Sequence, residues 1–239
     1  MARKKTDTEI NHPISVDDHR ELAKAHAKRN INAVNEALKF PTGDDFEKDL
    51  SDILNSDYEE KGETVVIAFT DLDCFMHINK DFSIEVGDRV LIDTGLYIKS
   101  KLPKDATVYR IGGDEFGIIF KGESEREDIF LFLNDLKNGF DVKTPDGVLQ
   151  TMTIGMATAG TDASRYAELV RKADSALFRA KTSGRNKVTM AREEKMIPKT
   201  SHYTQEQLQR LGKLSKLEGI GEAILLREAL DMLLKKYDV

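Results

Sequence analysis

Two pairs of carboxylates stand next to apolar runs. Asp71 and Asp73 follow the run Thr64 to Phe69, and Asp114 and Glu115 lie between the runs Ala106 to Ile111 and Phe116 to Phe120. Phosphoryl transfer from a nucleotide needs oxygen ligands that hold a divalent cation against the phosphates, supplied by carboxylates on neighbouring rigid elements. Asp71 at a strand end and Asp114 with Glu115 at a hairpin tip form such a set. Gly112 and Gly113 precede the second pair, and without Cβ atoms they let the backbone approach a ligand closely. Taken singly, each feature also has an ordinary reading, the first as an exposed strand end and the second as a tight turn.

The elements that must position these groups follow from periodicity. Thr64 to Phe69 is a continuous β-branched and aromatic run, which predicts a strand buried on both faces. A helical stretch follows, and then a second from about Val86 to Lys101 whose Val90, Leu91, Gly95 and Ile98 face the sheet. Ala106 to Ile111 and Phe116 to Phe120 pair as a hairpin. Ser124, with Glu127 three residues on, predicts a capping box for a helix ending near Lys137. Val142 to Thr158 reads as strands interrupted by the turn Pro145-Asp146-Gly147. Arg165 to Thr182 is an amphipathic helix stopped by Gly184, and Asn186 to Met190 is a last strand. This order predicts an α/β (α+β) sandwich with a mainly antiparallel sheet covered by helices, as in palm-type polymerase domains. Upstream, Ser15 to Leu38 has a modest helical face, Phe40 to Gly43 breaks it, and Asp45 to Leu54 restarts a helix.

Composition bounds the class. Over 239 residues, 40% apolar and 33% charged side chains describe a soluble globular protein. No apolar run approaches the roughly 20 residues of a bilayer span. The basic N-terminus lacks a following apolar stretch, so it does not read as a secretory signal. Cys74 is the one cysteine and cannot form an internal disulfide. A cytoplasmic protein without membrane contact is expected. A net charge of -6 argues against polyanion binding by the whole surface.

Four blocks together resemble the GGDEF-domain diguanylate cyclases. Arg110-Ile-Gly112-Gly113-Asp114-Glu115-Phe116 resembles the motif that names the family. Asp71-Leu-Asp-Cys-Phe75 with Ile78-Asn79 is similar to its DxDxFxxIN, and Gly87-Asp88 with Val90-Leu91 to its GDxxL. Ala173-Asp174 through Lys181, followed by Gly184-Arg185-Asn186, is similar to its ADxALYxAKxxGRN ending. The resemblance implies a palm-like GGDEF domain over 63–191 that condenses two GTP into cyclic di-GMP with Mg²⁺ or Mn²⁺. It assigns the metal to the Asp71 and Asp114 carboxylates and the Leu72 carbonyl. Glu115 becomes a further ligand or the base for the attacking 3′-hydroxyl. Phe75, Asn79 and Asp88 belong to the substrate site, the last two reading the guanine edge, where a carboxylate accepts from ring N–H and amino donors. Lys181 and Arg185 match the triphosphate-binding cations. Asp73 is more often structural in this family.

The chain also departs from the family pattern. Met76 stands where Lys is usual and Ser83-Ile84 where Gly-His is usual, which predicts slow turnover. The entry motif is reduced to Thr42-Gly43-Asp44-Asp45-Phe46. The product-inhibition motif RxxD would fall at Pro103 to Ala106, and neither end residue matches.

Beyond Ala191 the composition shifts to a charged stretch containing Pro198, which separates 192–239 from the cyclase-like domain. A short extended segment, Lys199 to Tyr203, precedes a helix from about Gln205 to Leu217, a break at Glu218 to Gly221, and a helix from Glu222 to Lys236. This resembles a ribbon-helix-helix unit, with an apolar pattern of Leu208, Leu211, Leu214, Ile220, Ile224, Leu225, Ala229 and Leu233 suited to an intertwined homodimer. The resemblance implies that Thr200 and His202 point to bases of double-stranded DNA, while the second helix's N-terminus at Gly221 and Glu222 meets a phosphate. The alternative is a dimerising helical hairpin that never touches DNA, since the tail's nine basic and eight acidic residues provide little counterion-release affinity. For the whole chain the competing functions are an active diguanylate cyclase and a DNA-binding regulator whose GGDEF domain only senses GTP or cyclic di-GMP. A cyclase making another cyclic dinucleotide is disfavoured by Asp88. Without the RxxD pair, added cyclic di-GMP is not expected to inhibit noncompetitively. Initial rates at micromolar product check this, and strong noncompetitive inhibition would reveal a different product site.

Overall fold

A computed structural model of the chain describes residues 34–192, 199–218 and 221–237. Its centre is β1 (Thr64–Leu72), buried on both faces as its unbroken apolar run requires. Side chains alternate along it. Val66, Ala68 and Leu72 enter one core, and Val65, Ile67 and Phe69 enter the other. β2 (Ala106–Arg110), β3 (Glu115–Gly122), β4 (Met152–Thr158) and β5 (Val188–Met190) complete a five-stranded sheet of order β2-β3-β1-β4-β5. All pairings are antiparallel except β4 with β5. The expected mixed α/β sandwich with a mainly antiparallel sheet is the observed fold.

Helices close both faces. α1 (Gly43–Leu54) begins in a reciprocal cap in which the Asp45 backbone N–H donates to Thr42 Oγ1 and the Thr42 N–H donates to Asp45 Oδ2. The reduced entry motif therefore folds as a helix start. α1 buries Phe46 and Leu50 in the core that also holds Leu169, Ala173 and Leu177 of α5 (Tyr166–Thr182). Opposite, α2 (Phe75–Asp81), α3 (Ile84–Lys101) and α4 (Arg126–Asn138) contribute Ile78, Val90, Leu91, Ile98, Leu133 and Leu136, with Val34, Leu38 and Phe40 beside them. The predicted helix from Ser15 to Leu38 lies outside the described residues except for 34–38, which are helical.

Two local expectations are corrected. Ser124 does not cap α4: the N-cap is Glu125, which makes no side-chain cap bond. The helix start is instead held by Arg126, which donates to the Ala191 carbonyl and pairs with Asp162. The stretch from Val142 is not a strand on both sides of its turn, because only the bridge Lys143 to Leu149 forms before Met152. Gly147, at φ 86°, closes the turn by donating to the Thr144 carbonyl, and exposed Val148 and Leu149 find no neighbouring strand.

The tail forms α6 (Gln205–Glu218) and α7 (Glu222–Tyr237). Thr204 and Gln207 cap α6 reciprocally. Segment 199–203, expected to be extended, forms no strand among the described residues. Leu208, Leu214, Leu217, Leu230 and Leu233 remain exposed. Among the described residues no helix is long and apolar enough to cross a membrane.

One strand glycine sets how closely α5 approaches the sheet. A Cβ on Gly155 would lie 2.2 Å from the Leu177 nitrogen and 2.5 Å from the Ala173 carbonyl oxygen, both helix backbone atoms. Gly155→Ala must therefore push α5, with Lys181 at its end, off β4. The expected cost is about 1–3 kcal/mol of overpacking. Urea denaturation checks this, and an unchanged midpoint would contradict it.

Candidate functional site

The antiparallel register of β1 and β3 sets Asp71 directly opposite Glu115. Cross-strand partners lie about 5 Å apart between Cβ atoms, so the two carboxylates share one end of the sheet. Asp114 precedes Glu115 at the hairpin tip. Burial pushes the Asp71 carboxyl up to about 6, with Asp114 and Glu115 adding to the rise and Lys181 opposing it. Burial also raises Asp114, again with Glu115 adding, while its own backbone hydrogen bond, Lys181 and Arg110 oppose. The three acids thus repel one another in a partly dry site. Lys181, in the last turn of α5, places Nζ 2.6 Å from Asp71 Oδ2.

Among the described residues no group of three or more His, Cys, Asp and Glu side chains comes close enough to hold a metal alone. Mg²⁺ is usually held in protein sites through one or two carboxylates plus substrate phosphates. The donor set of Asp71 and Asp114 carboxylates with the Leu72 carbonyl has this hard-oxygen chemistry.

A second cluster lies between α2 and α3. A Cβ on Gly87 would stand 1.8 Å from Asn79 Oδ1 and 3.1 Å from Phe75 Cζ, so the absent side chain is what lets Asn79 and Phe75 rest on α3. Asn79 Oδ1 is buried without a protein partner. Asp88 follows on α3, its carboxyl raised by burial and by Glu85 and lowered by Arg110. Ser83, one of the two departures before Gly87, accepts from the Val86 N–H and caps α3.

Two residues outside the predicted site support it. Asp73 is buried, and its carboxylate accepts from Thr151 Oγ1 and Thr153 Oγ1, each at 2.6 Å, and from the Asn186 N–H at 3.1 Å. This ties the end of β1 to β4 and to the turn after α5, where Arg185 and Asn186 sit at φ 58° and 47°. Arg185, so held, is exposed and forms no part of the carboxylate cluster. Arg110, 8% exposed, donates through Nη2 to the Gly113 carbonyl and lies over the Phe116 ring at 5.0 Å. Burial lowers its pKa, against the pull of Asp114 and Asp88. The sequence motif begins at Arg110, and an arginine four residues before a carboxylate pair is the signal that points to this role. Of the predicted tail residues, Thr200 and His202 are exposed and lie apart in sequence from the sheet.

A family model for the diguanylate cyclase GGDEF domain matches residues 40–187, and one for a ribbon-helix-helix domain matches 197–238. Diguanylate cyclase A of Treponema denticola is 31% identical over 137 residues, covering 56% of this chain and 37% of that protein. Diguanylate cyclase TpbB of Pseudomonas aeruginosa is 30% identical over 150 residues, covering 61% of this chain and 34% of that protein. An uncharacterized membrane protein of Staphylococcus haemolyticus is 28% identical over 54% of this chain and 38% of its own length. The chain thus spans little more than a third of the length of these curated relatives. The crystal structure of the TpbB GGDEF domain superposes with a TM-score of 0.61 at 28% identity, over 66% of this chain and 99% of that domain. The tail thus matches a ribbon-helix-helix family model, and, with more than half of its length matched on the fold described above, the chain belongs to the GGDEF diguanylate cyclase domain family.

Proposed function

We propose that this protein is a diguanylate cyclase that condenses two GTP molecules into cyclic di-GMP, dimerised and targeted to DNA by its tail. The observation that carries the reading is the meeting of Asp71, Asp114 and Glu115 at one sheet end with the Lys181 ammonium among them. In each half-reaction the 3′-oxygen of one GTP attacks the α-phosphorus of the other, and the bond to the departing pyrophosphate breaks. Bound Mg²⁺ would neutralise the phosphates and stabilise the charge that develops on the transferring group. Asp71, Asp114 and the Leu72 carbonyl would hold it. Glu115 lies beside them on β3, where it serves as a further ligand or takes the proton from the attacking hydroxyl. Lys181 and Arg185 bind the triphosphate, and the Asp73 network keeps the Arg185 turn in place. Asp88 accepts from the guanine N1–H and amino group, with Asn79 beside it, so GTP is selected over ATP.

Each domain holds one GTP, so product formation requires two domains face to face. The exposed leucines of α6 and α7 support a homodimer through the tail. Paired 199–203 segments would form the ribbon that presents Thr200 and His202 to the DNA major groove. A second reading keeps the DNA-bound dimer and reduces the GGDEF domain to a sensor of GTP or cyclic di-GMP. It is favoured by Met76 and Ile84, 75% and 46% exposed where the family pattern is polar.

Incubation of the purified chain with GTP and Mg²⁺, followed by mass spectrometry, separates the two readings. Cyclic di-GMP is expected, and intact GTP after long incubation of a folded dimer would leave the sensor. Asp114→Ala should lower turnover at least about a hundredfold, the equivalent of ~3 kcal/mol, while the fold and dimer persist. Near wild-type turnover would contradict the metal assignment. A chain truncated near Met196 should sediment as a monomer, lose its salt-dependent shift of duplex DNA, and lose activity by orders of magnitude at low protein concentration, with partial recovery on concentration. A truncated chain that stays dimeric and equally active would put the interface elsewhere.

A further inference from the structure

The Lys181–Asp71 pair has consequences of its own. Its Nζ–Oδ2 separation is 2.6 Å, and the two side chains are 29% and 11% exposed, so the contact is largely withdrawn from water. Asp71 is also the carboxylate on which Asp114 and Glu115 both act. Three acids at one sheet end with no cation among them would repel each other. The ammonium therefore serves as the site's internal counterion when nothing else is bound.

Lys181 is well suited to giving this contact up. Its main chain is fixed, because α5 lies backbone-on-backbone against Gly155. Its ammonium, however, sits on a flexible four-carbon stem with three donors and no acceptor. The Nζ can swing without the helix moving. A divalent cation on Asp71 and the Lys181 ammonium on its Oδ2 compete, since both are positive and draw on one carboxylate. Metal arriving alone must displace an ammonium from its 2.6 Å contact and leave two cations close together in one small site. Metal arriving with a triphosphate gives that ammonium new oxygens to bind.

We infer that Lys181 is a counterion gate: it occupies the metal position of the nucleotide-free protein and moves from Asp71 to the phosphates when metal and nucleotide enter together. The inference rests on the reading of Asp71 as a metal ligand given above. It makes Lys181 a positioning residue as well as a phosphate ligand, and it predicts that the protein resists metal without nucleotide.

The test is binding of Mn²⁺ alone to the nucleotide-free, full-length protein, followed by electron paramagnetic resonance of the free ion. Lys181→Met should bind Mn²⁺ at least about tenfold more tightly than wild type, because the competing charge is gone while the acids remain. Lys181→Arg, which keeps the charge, should stay as weak as wild type. The gain should vanish in the Asp71→Asn, Lys181→Met double variant. Mn²⁺ affinity that is unchanged or lower in Lys181→Met overturns the inference, as does a gain that survives the loss of Asp71. Thermal unfolding of each variant shows that the folded protein is being titrated. The cyclase reading itself is judged separately by product formation from GTP in the wild-type chain, so failure of one is distinguishable from failure of the other.

Discussion

The register that sets Asp71 opposite Glu115 governs this molecule more than any other single constraint. It is fixed at the middle of β1 and β3 by the apolar pairs Val66–Phe120, Ile67–Ile119 and Ala68–Ile118, which face the two cores alternately. A slip of one residue would exchange those faces, so the hydrophobic core itself enforces the meeting of the carboxylates. Burial first, and neighbouring carboxylates second, then hold Asp71 and Asp114 above their ordinary pKa. Repulsion among these acids is offset by the two packed cores on either side of the sheet.

The remaining site elements are fastened to that frame by short polar links. Asp73, two residues past Asp71, spends its carboxylate on Thr151, Thr153 and the Asn186 N–H, fixing a turn whose two central residues have positive φ. On the other side, Gly87 lets Asn79 and Phe75 lie on α3, and Arg110 braces the hairpin tip through the Gly113 carbonyl. Asn79, Asp88 and Lys181 thus stand on three different helices, and Arg185 on the turn that follows the last of them.

Much of this was legible in the sequence because its signals were local. An unbroken β-branched run announced β1, and glycine-flanked acids between two apolar runs announced the hairpin. The cap of α4 was misread because Ser124 and Glu127 fit a local rule while a distant partner, Asp162, holds the helix start through Arg126. The strand expected from Val142 failed for a similar reason: its composition suits a strand, and whether it pairs depends on a neighbour that only the tertiary structure supplies. The bracing role of Arg110 and the Lys181–Asp71 pair were hidden too. Both depend on contacts across the fold, the latter between residues 110 positions apart.

The central claim is that the Asp71, Asp114 and Glu115 end of the sheet holds a metal against a triphosphate whose base lies by Asn79 and Asp88. The most direct measurement is a crystal structure with Mn²⁺ and 3′-deoxy-GTP, which lacks the attacking hydroxyl, using anomalous scattering to locate the metal. The account predicts a manganese peak beside the Asp71 and Asp114 carboxylates, with Lys181 turned to the phosphates. A peak away from both carboxylates, or Lys181 still seated on Asp71 beneath a bound nucleotide, would contradict it.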